Sequence, residues 1–406
     1  MPQHLLPAAS SLALCLALAG QSPSAGHDVE RMARVGTVAE REVTSGHYAA
    51  TSFLVLHHGE EVAAGAFGHA DVASSTPMRR DTIVRIFSMS KAITAVTALT
   101  LLEDGLVRLD TKVADWLPEF AAPKVFAGGT ADAPRLEPAQ KAITVRMLLN
   151  HTAGFTYDFF RDSPLHDMYR AADLWSAASL DEFVRRAAAL PLLAQPGEQW
   201  NYSIADDVLG ALIERVAGRP FADCVRDRVT GPLGMADTDF DVPEAKRARL
   251  ATVHTKKDGA FEAVSEAFGT YAEPGRGFPA GGAGMFSTLD DYAKFAGMLA
   301  GGGSWNGVRI LGRKTMELAT ANSLRGTQSM RSPGDGWNLI CGVRTDPGAA
   351  SDLGSQGMLF WSGAATTAFF ADPHEDLVGV VFCQHLPHDP ERFLSRFRDA
   401  VYSALR

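Results

Sequence analysis

From Ser88 to Glu103 the chain reads Ser-Met-Ser-Lys-Ala-Ile-Thr-Ala-Val-Thr-Ala-Leu-Thr-Leu-Leu-Glu. The spacing of Ile93, Val96, Leu99, Leu101 and Leu102 predicts a helix, and Gly105 is placed to end it. Apolar or small residues occupy nearly every side of this helix, so it offers no face to water and must be wrapped all round by the rest of the fold. It opens with Ser88 and Lys91, a spacing that stacks the two side chains on one helical face. There an amine can take a proton from a hydroxyl, and a serine hydroxyl is a poor nucleophile until an adjacent base activates it. The free N–H groups and positive dipole end of a helix start also favour negative charge developing at that place.

The wrapping has to come from both ends of the chain. At 406 residues the protein is long enough for two lobes around a large core. Val29 to Val43 has helical spacing; Ser52 to His57 and Glu61 to Phe67 flank the turn at His58-Gly59-Glu60 and predict a hairpin. Gly68 to Arg80 reads as polar loop. Residues 106 to 330 read mainly as helices: Thr144 can cap a helix leading to Asn150, Ser179-Leu180-Asp181-Glu182 is a capping box, Ile204 to Val216 stops at Gly218, and Leu289 to Leu299 is amphipathic. From about Trp337 strands return at Met358 to Ser362, Thr366 to Phe370 and Leu377 to Cys383, followed by a final helix over Pro390 to Leu405. Strands at both ends around a helical middle predict one sheet built from the two termini, with residues 28–105 and 331–406 as an α/β lobe and 106–330 as an inserted, mainly helical lobe.

Composition narrows the chemistry. A formal charge of −9 and the lack of any Lys/Arg run argue against nucleic acid as a partner. Cys15, Cys224, Cys341 and Cys383 have neither metal-ligand spacing nor the look of a disulfide framework, and no His-Glu-x-x-His pattern occurs, so neither a metal nor another cofactor is expected. Leu5 to Gly20 is an apolar run with Ala17-Leu18-Ala19 resembling a signal-peptidase site, although no Lys or Arg precedes it and Pro7 interrupts it. Residues 1–27 are therefore expected to be a leader and linker. The protein would be periplasmic or secreted if that leader is a signal peptide, and cytoplasmic otherwise. The run is too short and interrupted for a membrane-spanning helix. The sequence is silent on oligomeric state.

Ser-x-x-Lys is weak by itself: with 25 Ser and 9 Lys in the chain, chance supplies about half a match. A surface serine capping a helix beside a solvated lysine would give the same four residues. Context lifts it, because strand-like Val84 to Phe87 precedes the motif and a buried helix follows. Ser88-Met89-Ser90-Lys91 resembles the first motif of the serine β-lactamase and penicillin-binding-protein superfamily. The order of further landmarks resembles class C β-lactamases and, more closely, the family VIII carboxylesterases. Those landmarks are Leu148-Leu149-Asn150-His151-Thr152-Ala153-Gly154-Phe155, Pro196-Gly197-Glu198-Gln199-Trp200-Asn201-Tyr202-Ser203 and Ala280-Gly281-Gly282-Ala283-Gly284-Met285. The resemblance covers residue 30 to the C-terminus and implies an α/β fold of the β-lactamase/penicillin-binding-protein type: an antiparallel sheet flanked by helices, with the helical domain inserted.

The resemblance also implies roles. Tyr202 matches the Tyr of the second motif, Tyr-x-Asn, and would act as general base and then acid, as phenolate or through a proton shared with Lys91; a phenol yields its proton more readily beside an ammonium. Ile204 stands where the Asn would, which removes one expected amide contact to substrate. In place of the third motif, Lys-Thr-Gly, this chain has Trp361-Ser362-Gly363, similar to the Trp-Gly-Gly of family VIII esterases. A lysine there would bind the carboxylate of a β-lactam or D-Ala-D-Ala peptide; Trp offers apolar area and one N–H. Gly363 allows close backbone approach, and the N–H groups of Ala364 and Ser88 would form the oxyanion hole.

The expected activity is hydrolysis of small carboxylic esters through an acyl-Ser88 intermediate, with Ser88, Lys91 and Tyr202 catalytic and Tyr157, Trp361, Ser362 and Gly363 against the substrate. The rivals are a β-lactamase or D-amino-acid peptidase, an acyltransferase of the same fold, and a non-catalytic sensor that is acylated without turnover. Of the aromatic cluster Tyr157, Phe159, Phe160, Tyr169 and Trp175, most are expected in the helical core, with Tyr157 the best exception. His151 and Thr152 are expected to fix a loop, Gly281 to Gly284 to let a loop pass near the site, and Asp206 and Asp207 to be solvated. No Gly-x-Ser-x-Gly occurs, so an α/β-hydrolase elbow is not the alternative.

Overall fold

The computed structural model describes residues 26–264, 273–275, 277–330 and 332–406. Apart from Gly26 and His27, the expected leader, with Cys15, lies outside the described residues.

The main sheet has eight strands: β1 (Ala50–His57), β2 (Glu60–Asp71), β3 (Thr76–Pro77), β4 (Asp335–Trp337), β5 (Gly342–Arg344), β6 (Leu359–Gly363), β7 (Thr367–Asp372) and β8 (Leu377–Phe382). Their order is β4-β5-β6-β7-β8-β1-β2-β3, antiparallel throughout. The termini meet at its centre, where Ser52 faces Phe382 and His57 faces Leu377. All eight residues of β1 are buried, because helices cover both faces. Phe53 and Val55 point to one face, where they pack with Met32 and Val35 of α1 (Val29–Thr44) and Phe397 of the C-terminal helix Phe393–Tyr402. Leu54 and Leu56 point to the other and join the main core. A strand covered on both sides reads as a continuous apolar run instead of an alternating one.

The buried helix begins later than the sequence suggests. Val84–Arg85 is a short strand paired with Phe286–Ser287, Phe87–Met89 is a 3₁₀ turn, and the α-helix proper, α2, is Ser90–Glu103. Ser88 therefore sits in the turn that feeds the helix. Phe87 adopts φ +43°, a left-handed conformation that costs a bulky side chain about 1–3 kcal/mol and persists where surrounding packing enforces it. Every residue from Ser90 to Leu101 is buried, as the all-round apolar pattern requires.

The middle of the chain is less purely helical than expected. It carries the hairpin Lys124–Gly129/Pro134–Pro138 and the pair His254–Lys257/Ala260–Ala263, and Gly68 to Arg80 continues β2 and adds β3. The capping box is shifted by one residue: Ser179 accepts the Glu182 N–H, while Glu182 reaches back to Ala178 N. Among the described residues no helix is long and apolar enough to cross a membrane, and Cys224, Cys341 and Cys383 are buried free thiols.

Ile93 is fully buried in α2, so Ile93→Ala is expected to lower unfolding stability by about 2–5 kcal/mol in urea titration. A loss well under 1 kcal/mol would contradict the central place of this helix.

Candidate active site

Of the two serines in the first motif, only one is available for chemistry. Ser90 is fully buried and its Oγ accepts the Met285 N–H at 3.1 Å. Ser88 is partly exposed, and its Oγ accepts a long hydrogen bond of 3.4 Å from Lys91 Nζ. Lys91 is itself 1 % exposed. Its ammonium has three donors to satisfy, and besides Ser88 it meets Tyr157 Oη at 2.9 Å and the Gly282 carbonyl at 2.6 Å.

Tyr202 reaches the same spot differently from the expectation. Lys91 Nζ lies over the Tyr202 ring, 4.7 Å from its centroid, while the Tyr202 hydroxyl accepts the indole N–H of Trp361 at 3.0 Å. The direct phenol contact of the amine is thus with Tyr157. Trp361 lies on β6 with its ring 5.1 Å from Tyr202 and 4.5 Å from Trp337. Its one polar atom is spent on the tyrosine, whose phenol oxygen it meets as a donor.

The segment carrying Tyr202 is pinned from behind. His151 takes φ +55°, and its carbonyl accepts Asn201 N at 2.9 Å, while Thr152 O accepts Gly197 N at 2.7 Å. These bonds give His151 and Thr152 the loop-fixing role expected of them. The His151 ring lies 4.9 Å from Tyr202, with Nδ1 3.3 Å from Ser203 Oγ and Nε2 3.2 Å from Asp206 Oδ2, off the line of a hydrogen bond. Burial holds this imidazole below its ordinary range, with Asp206 pulling the other way. Ile204 is fully buried and cannot touch a substrate.

The third-motif strand docks on the nucleophile turn through backbone. A Cβ on Gly363 would stand 2.2 Å from the Ile86 carbonyl oxygen and 2.4 Å from Thr367 Oγ1, so only glycine lets β6 come this close. Ala364 follows that contact directly, which brings its backbone beside the turn holding Ser88. The Gly363 carbonyl lies 3.1 Å from His388 Nδ1, and Ser362 Oγ 3.4 Å from His388 Nε2. Sequence reasoning gave His388 no role, since nothing in its neighbourhood marks it.

Two expectations need correction. Asp206 and Asp207 are not solvated but 2 % and 0 % exposed. Helix α3 (Ala205–Ala217) is buried continuously from Ala205 to Ile213, so acids in its first turn have no solvent side. Phe159 and Phe160 are not core residues but 66 % and 45 % exposed. Phe159 stacks on Tyr157 at 5.0 Å and Phe160 meets it edge-on at 5.6 Å, the two forming an exposed aromatic rim. Tyr169 is in the core, as expected. Beside Tyr202 lies a cavity of about 280 Å³ lined by Thr156, Phe160, Arg161, His166, Leu193 and Trp200 among others.

The chain matches the Beta-lactamase family model over residues 35–403 and is a member of that family. It is 31 % identical to esterase EstB of Burkholderia gladioli, over 84 % of this chain and 87 % of that one. It is 30 % identical to a lovastatin esterase of Penicillium rubens, over 75 % and 80 % of the two chains. Among solved structures it resembles EstCE1, described as a hydrolase with promiscuous acyltransferase activity, with a TM-score of 0.80 and 29 % identity over 92 % of this chain and 99 % of the other.

Gly363→Ala is expected to slow labelling of Ser88 by a fluorophosphonate at least ~100-fold, the scale of losing an oxyanion donor, with far-UV circular dichroism unchanged. An unaltered labelling rate would show that β6 does not shape the reactive turn.

Proposed function

We propose that this protein is a serine ester hydrolase that works through an acyl-Ser88 intermediate. The observation that carries the reading is the Ser88–Lys91–Tyr157 hydrogen-bond chain with Tyr202 held over the same amine by Trp361. Ser88 Oγ attacks the ester carbonyl carbon while its proton passes to the Lys91–Tyr202 pair, and the carbonyl oxygen becomes an oxyanion between the Ser88 and Ala364 N–H groups. When the tetrahedral intermediate collapses, the bond to the alkoxy oxygen breaks and the pair returns the proton to it. Water then gives its proton to the same pair, attacks the acyl carbon and frees Ser88 and the acid. Tyr157 keeps the amine aimed.

Trp361 bears on the substrate. A cationic third motif would bind a carboxylate, whereas here the position is apolar and its N–H already serves Tyr202. Together with the aromatic rim of Phe159 and Phe160 this supports an ester with an apolar or aromatic group over a β-lactam or a D-Ala-D-Ala peptide. The named relatives EstB and lovastatin esterase support the same choice.

The test is turnover of p-nitrophenyl butyrate, a chromogenic cephalosporin and a D-Ala-D-Ala peptide by wild type, Ser88→Ala and Tyr202→Phe. The ester is expected to be the best substrate, Ser88→Ala inactive, and Tyr202→Phe reduced in kcat at least ~100-fold. No ester turnover, or full activity in Ser88→Ala, contradicts the proposal; a tenfold loss or less in Tyr202→Phe leaves Lys91 as the main base.

A further inference from the structure

Asp207 takes no part in the proton transfers above, yet it is fully buried one backbone residue away from Lys91. Its Oδ1 accepts the Gly282 N–H at 2.8 Å, and the carbonyl of the same Gly282 accepts Lys91 Nζ at 2.6 Å. Its second oxygen, Oδ2, has no hydrogen-bond partner, and a Cβ on Gly282 would stand 2.6 Å from that oxygen. The neighbouring Gly281 is packed as tightly, since a Cβ there would stand 2.4 Å from the Asp206 carbonyl. The loop that supplies an acceptor to Lys91 is therefore seated on Asp206 and Asp207.

A carboxyl group buried with one oxygen unsatisfied is costly as an anion unless a cation lies close, and a buried ammonium has the same need. The charged groups that face Asp207 are Lys91 from α2 and Asp206 on its own helix, and Asp206 has His151 beside it. The Gly281–Gly284 loop contributes no ionisable side chain. Lys91 is thus the one cation in this set.

We propose that Asp207 is a positioning residue for Lys91: it anchors the Gly282 loop whose carbonyl aims the amine, and as the buried counter-charge it sets how firmly the Lys91–Tyr202 pair holds its protons. This rests on the reading in which that pair takes the proton of Ser88. The pair becomes active by losing one proton, so its net charge falls from +1 to 0, whichever of the two groups gives the proton up. A nearby anion opposes that loss. Asp207 therefore restrains activation over the pH range in which it is ionised. Burial pushes its own carboxyl up to about 7, with Lys91 and the Gly282 N–H pulling the other way, so the restraint changes across the neutral range.

Asp207→Asn keeps an acceptor for Gly282 N and removes the charge. The acid limb of kcat/KM for p-nitrophenyl butyrate is expected to move to lower pH by about one unit or more; a purely structural role would lower activity without moving that limb. An unmoved limb, or one moved to higher pH, overturns the proposal. A second measurement needs neither turnover nor the Asp207 variant. Coupling is reciprocal, so in Lys91→Met the infrared band of a protonated buried carboxyl is expected to persist about one unit or more higher in pH than in wild type. If no carboxyl band shifts between the two proteins, the coupling is absent. Should no ester be hydrolysed at all, the proposed function fails while the infrared titration still decides the role of Asp207.

Discussion

An ammonium group taken out of water is the constraint around which this molecule is arranged. Lys91 cannot be buried cheaply unless each donor of its amine finds an acceptor. The three it finds come from separate parts of the chain: the turn before α2, the segment after Gly154 and the 281–284 loop. Two of those segments are positioned by a glycine that nothing larger could replace. Gly154, at φ +91°, would put a Cβ 2.2 Å from the Ala194 carbonyl, and Gly281 packs on Asp206 in the same manner. The helical lobe and the loop are in this sense a sheath around one amine, with the sheet supplying the fourth wall through Gly363.

The same constraint explains what the third motif does here. With tryptophan in place of lysine, β6 gives no cation to a substrate carboxylate. Its indole N–H goes to Tyr202, so the side chain that would have selected a substrate instead orients Tyr202, the proposed partner of Lys91 in proton transfer. The cavity beside Tyr202 sets Phe160, Leu193 and Trp200 alongside Thr156, Arg161 and His166, so recognition there combines apolar contact with polar groups.

Much of this was legible in the sequence, and the part that was not has a common cause. Ser88 and Lys91 could be paired from spacing alone, because a separation of three residues is local geometry. The strands Leu359–Gly363, Thr367–Asp372 and Leu377–Phe382 lie within two residues of their expected bounds, since their apolar runs are short and punctuated. The partner of the Lys91 amine was not legible: Tyr157 and Tyr202 both lie in non-repetitive backbone, and which hydroxyl meets the amine is decided by how distant segments pack. Asp206 and Asp207 looked solvated because acids usually are, but a signal was present. They share a helix with Val208, Leu209, Leu212 and Ile213, which leave no polar side chain between its first turn and Glu214, and acids there gain from the helix dipole. Phe159 and Phe160 misled in the other direction, since aromatic composition says nothing about which rings edge an opening. The small strands at Lys124–Gly129 and His254–Lys257 escaped because neither is long enough to show a period.

The central claim is that the acyl group of a substrate resides on Ser88 and leaves it by hydrolysis. Rapid-quench mass spectrometry during turnover of a slow aromatic ester, followed by peptide mapping, tests it most directly. The account predicts an acyl adduct confined to Ser88 that forms within the first turnover and decays as the ester is exhausted. An adduct on another residue, or product formation with no adduct trapped at any quench time, would contradict it.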